Sequence, residues 1–112
     1  MLAKPNRLKN RVEIASVARA RGFKDDFLTL KMQKNNSPDS RFAFVISSKS
    51  LKKATARNLV KRRAREIIRK NLSNIEHGYD ILFIFSSNAA KLDYLELEKE
   101  LITAMRAQKI FT

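Results

Sequence analysis

Apolar residues recur along the chain in two periods, and the changes between them mark out the elements. Residues 27–33, FLTLKMQ, place Leu28, Leu30 and Met32 on one side and Thr29 and Lys31 on the other, the period of two expected of a strand. Residues 41–47, RFAFVIS, divide in the same way, with Phe42, Phe44 and Ile46 against Ala43, Val45 and Ser47. Residues 34–39, KNNSPD, have turn composition, so the two strands are expected to form an antiparallel hairpin. Residues 79–85, YDILFIF, are almost uniformly apolar, the mark of a central strand covered on both faces.

The helical period occurs three times. Asn10 with Glu13 has capping-box spacing and opens a helix through VEIASVARAR, whose stripe of Val12, Ile14, Ala15, Val17 and Ala18 is weak and wide. Gly22 is the expected left-handed residue that ends it. In residues 52–70, KKATARNLVKRRAREIIRK, Ala56, Val60, Ala64 and Ile67 share a stripe, with Ile68 at its edge. Asp93 with Glu96 repeats the capping-box spacing, and a last helix from Tyr94 to about Lys109 buries Leu97, Leu101 and Met105, flanked by Tyr94, Leu95 and Ile102. Residues 1–9 are basic, contain Pro5 and read as an extended arm. The order is αββαβα, with room for a short extra strand in residues 23–26. Neither a repeat nor a linker divides the 112 residues, so a single α+β domain is expected.

Charge changes this picture most in residues 52–70. Nine of the 19 residues are Lys or Arg, and the one acid is Glu66. On a helix, Asn58, Lys61, Arg62, Arg65 and Arg69 gather within about 100° of arc, away from the apolar stripe. Cations this dense repel one another unless a polyanion lies across them. A spacing of about one turn suits a phosphate backbone, and Arg adds bidentate contacts. A solvated helix face is the bland alternative. The net charge of +13 and a pI near 10.5 call for an anionic partner. The last 42 residues hold four cations against six acids, so the positive field belongs to the N-terminal two-thirds. No apolar run approaches the roughly 18 residues of a spanning helix, and the N-terminus lacks the layout of a signal peptide. A cytoplasmic protein without a membrane partner is expected.

Catalytic chemistry is hard to assemble from these residues. There is no Cys, and the one histidine, His77, stands beside Gly78 in a turn. Gly22 and Gly78 are the only glycines, so no glycine-rich phosphate loop exists. Asp25 and Asp26 read as solvated loop acids, and no carboxylate cluster for metal-assisted hydrolysis stands out. The remaining chemistry is recognition. A basic helix with one amide, Asn58, beside apolar and aromatic strands suits single-stranded or folded RNA better than duplex DNA.

Residues 54–66, ATARNLVKRRARE, resemble the signature helix of the bacterial ribonuclease P protein subunit, in which an Arg-Asn-Arg triplet precedes further Lys and Arg. The resemblance extends to Arg7-Leu8 before a short helix, to RFAFVIS ahead of a Lys, and to YDILFIF before a last helix, and so covers nearly the whole chain. Leu59 stands where the triplet has its second Arg, and the turn before the helix lacks the family's Gly. The resemblance implies an α/β sandwich with a left-handed βαβ crossover. It implies an accessory subunit of a ribozyme, whose RNA subunit, with Mg²⁺ bound mainly by that RNA, removes the 5′ leader of precursor tRNA. No catalytic or metal-ligating residue is then expected in the protein. Arg57, Asn58, Lys61, Arg62, Arg65 and Arg69, flanked by Lys49 and Lys53, would contact the RNA subunit. Ile14, Ala18, Leu30 and Ser47 would lie near the leader cleft, with Ile14, Ala18 and Leu30 in place of the family's aromatics. Core packing is the other reading for Ile14 and Leu30. The rival functions are a ribosomal or other structural RNA-binding protein, a self-sufficient nuclease and a DNA-binding protein.

Overall fold

A computed structural model describes residues 2–112. Helix α1 spans Arg11–Ala18, strand β1 Gly22–Lys24, β2 Leu28–Lys34 and β3 Arg41–Ile46. Helix α2 spans Ala54–Asn71, β4 Tyr79–Phe85 and α3 Tyr94–Ala107. The strands form one sheet in the order β1-β2-β4-β3, with β4 antiparallel to β2 and parallel to β3. The short extra strand is therefore present, and β3-α2-β4 is a βαβ crossover.

The expected β2–β3 hairpin does not form, because β4 lies between the two strands. The uniformly apolar β4 needs a partner on each edge and a layer on each face, and the inner position supplies both. The six residues 35–40 readily cross two inter-strand spacings, about 10 Å. Their polar groups also bind the start of β4. The Asn35 backbone N–H donates to the Gly78 carbonyl (2.9 Å), the Ser40 hydroxyl to the Glu76 carbonyl (2.6 Å), and the Tyr79 N–H to the Ser40 hydroxyl (3.1 Å).

Each face of the sheet has its own core. Leu28, Leu30, Phe42, Ile46, Ile81, Phe83 and Phe85 pack against Val60, Ala64, Ile67 and Ile68 of α2 and Leu97, Leu101, Ala104 and Met105 of α3. A smaller cluster of Leu8, Val17, Ala43 and Leu82, joined by Ile14 and Ile84, lies under α1. Alternation along β4 thus feeds both layers. The basic arm is ordered rather than extended: residues Lys4–Asn6 make a 3₁₀ turn, and the Leu8 N–H donates to the Phe42 carbonyl (2.9 Å). Its two leucines part around the β3 edge, Leu2 into the larger core and Leu8 into the smaller.

Two chain-end expectations are also corrected. Helix α1 stops at Ala18, four residues before Gly22, and Gly22 lies within β1. A Cβ at Gly22 would stand 1.7 Å from the Leu30 carbonyl oxygen, so glycine is needed for strand approach and not for a left-handed cap. The Asn10 side chain accepts the Val12 and Glu13 N–H groups, but the Glu13 carboxylate turns to Arg41 of β3. The Asp93–Glu96 capping box is complete in both directions.

The β1–β2 turn meets α3 through two carboxyls. Asp25 Oδ1 accepts the N–H groups of Phe27 (2.8 Å) and Leu28 (3.0 Å). Burial, followed by the hydrogen bond and charge of Asp25, pushes the Glu100 carboxyl up to about 7, against a slight opposing effect of Lys99. Burial opposes ionisation of Asp25, yet hydrogen bonds from Glu100, Phe27 and Leu28 hold it below its usual value. A carboxyl raised in the folded state stabilises the fold while protonated. That contribution is complete below the unfolded value of 4.5 and is lost as pH rises through about 7. The melting temperature is therefore expected to fall from about pH 5 to about pH 8, and Glu100→Gln to flatten that fall. Thermal denaturation across the window checks this, and an unchanged slope in the variant would remove Glu100 as its source.

Candidate nucleic-acid interface

Ala, Arg, Lys, Leu and Glu dominate α2, no Gly or Pro interrupts it, and Val60, Ala64, Ile67 and Ile68 anchor it on the sheet. Its cations divide into three groups by what they touch. Arg57 is half-buried, and its Nη1 donates to the carbonyls of Leu51 and Lys52 (both 2.8 Å), tying the preceding turn to the helix. Arg63 donates to the Leu92 carbonyl (3.2 Å). At the C-terminal end, Arg69 pairs with Glu66 and Lys70 with Glu98 (2.8 Å). Among the described residues no acid pairs with Lys61, Arg62 or Arg65, which together with the exposed Asn58 form the uncompensated patch. Arg69, placed with them by spacing, spends its charge on Glu66.

Lys49, Lys53 and Ser47 are exposed in the turn before α2. The Ser47 hydroxyl accepts the Lys49 N–H (3.0 Å), and its carbonyl accepts those of Ser50 (3.1 Å) and Leu51 (3.0 Å). No side chain caps the first turn of α2. Its free N–H groups and the positive end of the helix dipole add to the cationic field there.

A groove runs between α1 and the uncovered part of the sheet. Ala18 is exposed and Ile14 half-buried, the latter packed on the smaller cluster. Leu30 is fully buried in the larger core, on the opposite face, and so does not line the groove. In a strand a one-residue shift of register exchanges the faces, and the groove side of β2 carries Thr29, Lys31 and Gln33 instead. Strand pairing sets Lys24, Thr29, Ile84 and Val45 in one row across that face. Val45 is 40% exposed, an apolar surface left open beside α1.

The clamp that holds α1 over this face was not singled out from the sequence. Arg41 donates from Nε to Asp80 Oδ1 (2.8 Å) and from Nη2 to Asp80 Oδ2 (2.8 Å) and Glu13 Oε2 (2.7 Å). Asp80 is buried, and its one weak signal was a lone acid inside an apolar strand. The hydrogen bonds that Arg41 donates to Asp80 and then Glu13 raise its pKa further above its ordinary range. At the outer edge of β3 a cavity of about 460 Å³ is lined by Ile14, Ala43 and Val45 from the groove, Arg7 and Lys9 from the arm, and Arg65 from α2. It joins the groove to the cationic face of α2.

The ribonuclease P family model matches residues 2–109. The ribonuclease P protein component of Pseudanabaena sp. is 33% identical over 98% of this chain and 97% of its own length. That of Clostridium botulinum (strain Langeland) is 31% identical over 96% and 98%. Among solved structures, the Staphylococcus aureus RNase P protein superposes with a TM-score of 0.85 at 21% identity, covering 96% of this chain and 98% of that one. The Thermotoga maritima RNase P protein gives 0.80 at 26%, covering 90% and 96%. With its family model, full-length relatives and fold in agreement, this chain belongs to the ribonuclease P protein component family.

Proposed function

We propose that this chain is the protein subunit of a ribonuclease P, docking on a catalytic RNA through α2 and guiding the 5′ leader of precursor tRNA along the groove under α1. The observation that carries this reading is the uncompensated patch of Lys61, Arg62 and Arg65, whose Arg65 lines a cavity shared with Ile14, Ala43 and Val45 of the groove. Phosphates of a folded RNA replace the missing counter-charges on α2, and release of counterions supplies affinity. Arg57 and Arg63 are already oriented by backbone carbonyls, so they lose less freedom on binding. The leader, being single-stranded, lies on the open sheet face, with Val45 and Ile84 under its bases and Lys24 and Lys31 beside its phosphates.

The phosphodiester hydrolysis itself belongs to the RNA in this reading. Among the described residues no three His, Asp or Glu side chains converge to hold a metal. In this reading Mg²⁺ is bound mainly by the RNA, where it would supply charge stabilisation for the cleavage. What the protein adds is a cationic scaffold that lowers the repulsion between enzyme RNA and substrate RNA. The direct test is reconstitution with a bacterial ribonuclease P RNA and measurement of 5′ maturation at low Mg²⁺. Stimulation by the protein supports the reading. RNA binding without stimulation would favour a structural RNA-binding role, and cleavage by the protein alone would place the chemistry in the chain.

Charge reversal by Lys61→Glu with Arg65→Glu is expected to abolish assembly with that RNA at moderate salt. The fold should survive, because both side chains point away from the Val60/Ile67 stripe. A filter-binding titration beside a melting curve checks both halves, and unchanged binding would remove α2 as the docking surface.

In the groove, Ile14 and Ala18 offer less stacking surface than aromatics would, so leader affinity should lean on phosphate contacts and fall steeply with salt. Ala18 is exposed, which leaves room for a larger side chain. Ala18→Phe is expected to tighten precursor binding relative to mature tRNA by about 1 kcal/mol or more, roughly fivefold. Affinities for both tRNAs across a salt series test this. A folded, assembled variant with unaltered precursor affinity would move the leader away from position 18.

A further inference from the structure

A second cavity lies along α2 and shares Arg65 with the first. It measures about 670 Å³ and opens between that helix and the start of α3. Its apolar surface comes from Leu59 and the ring of Tyr94, both half-buried. Around them stand Asn58, Arg62, Arg63 and Arg65. The Tyr94 ring is held in place: it packs on the larger core, and the Lys70 ammonium sits 5.1 Å from its centroid. Lys70 is itself fixed by Glu98 (2.8 Å), and the Arg63 guanidinium by the Leu92 carbonyl. Glu66, the one acid in the wall, is engaged by Arg69.

A fixed aromatic ring, an aliphatic wall, an exposed amide and three guanidinium groups define what fits. The occupant is flat and apolar on its faces, has hydrogen-bonding groups on its edge, and is attached to a phosphate. Leu59 matters because its position carries Arg in the signature triplet. A guanidinium there would set a charge against the Tyr94 slot, whereas Leu59 makes the wall apolar. We propose that the Leu59–Tyr94 slot receives a nucleobase unstacked from the folded RNA that α2 binds, with Asn58 at the base edge and Arg62 and Arg63 on the adjoining phosphates. This rests on the docking of α2 proposed above and adds a shape-selective contact to an otherwise electrostatic surface. An acidic peptide shares the charge complementarity but does not need a flat slot between an aromatic ring and an aliphatic side chain.

The experiment compares wild type, Tyr94→Phe and Tyr94→Ala for binding to a bacterial ribonuclease P RNA at two salt concentrations, with melting curves alongside. Stacking is worth about 1–3 kcal/mol per base and depends little on salt, so Tyr94→Ala is expected to weaken binding about tenfold at both concentrations. Tyr94→Phe, which keeps the ring, is expected to stay within about twofold of wild type. In parallel, wild-type protein is irradiated with RNA carrying photoreactive uridine or adenosine analogues, and the adduct is expected on Tyr94. Wild-type affinity in a folded Tyr94→Ala, or adducts that omit Tyr94, would overturn the slot. If Tyr94→Ala does not fold, the adduct map decides. Loss of binding in the Lys61→Glu, Arg65→Glu variant shows that docking holds even when the slot fails; if that variant also binds normally, it is the docking itself that is wrong.

Discussion

The ion pair on which the arrangement of the site depends is the one between Arg41 and Asp80. Asp80 enters the sheet at the start of β4 and is buried, so its carboxylate must be neutralised where it stands. Arg41, its register partner on the parallel strand β3, does this with two hydrogen bonds and reaches on to Glu13 of α1. Asn35, from the connection that passes over β4, adds a third donor to Asp80 (2.9 Å). One carboxylate thereby fixes the pairing of β3 with β4, the path of the β2–β3 connection and the seat of α1. Removing either charge of the pair would leave the other without its partner, a loss of about 3–5 kcal/mol where such a pair is buried. It would also release the helix that forms one wall of the groove.

The position of that clamp explains why the groove is open. Helix α1 is only eight residues long, about 12 Å. Anchored through Glu13 and Ser16 on the Arg41–Asp80–Gln33 row, it lies across the strands over Ala43 and Leu82, with Ile84 packed at its flank, and leaves Val45 exposed. Ser16 and Gln33 add a side-chain hydrogen bond (3.2 Å) on the same seam. What lies beyond is a half-apolar, half-cationic strip of sheet, a surface to which bases and phosphates are both suited. The larger core on the opposite face is closed by α2 and α3 and provides the rigidity.

Charge on α2 is sorted by neighbours as much as by composition. Acids of α2 and α3 neutralise its C-terminal cations, while carbonyls orient Arg57 and Arg63 without cancelling their charge. The total of +13 overstates the charge at any one place on the surface.

The sequence by itself determined the elements and the helix faces. Period and composition suffice for that, since Val60, Ala64 and Ile67 bury one side of α2 whatever lies beneath, and YDILFIF can only be an inner strand. It also pointed to an RNA partner, because a dense cationic face needs a polyanion. It did not decide which strands pair. A turn of six residues serves a hairpin or a step across one strand equally well, and only the demand of β4 for two neighbours separated β2 from β3. Nor did it decide the face of Leu30, since FLTLKMQ alternates and a shift of one position exchanges core and groove. The Arg41–Asp80–Glu13 clamp and the Leu59–Tyr94 slot join residues 28–67 and 35 positions apart. Such contacts exist only once the chain has folded, and no local pattern carries them.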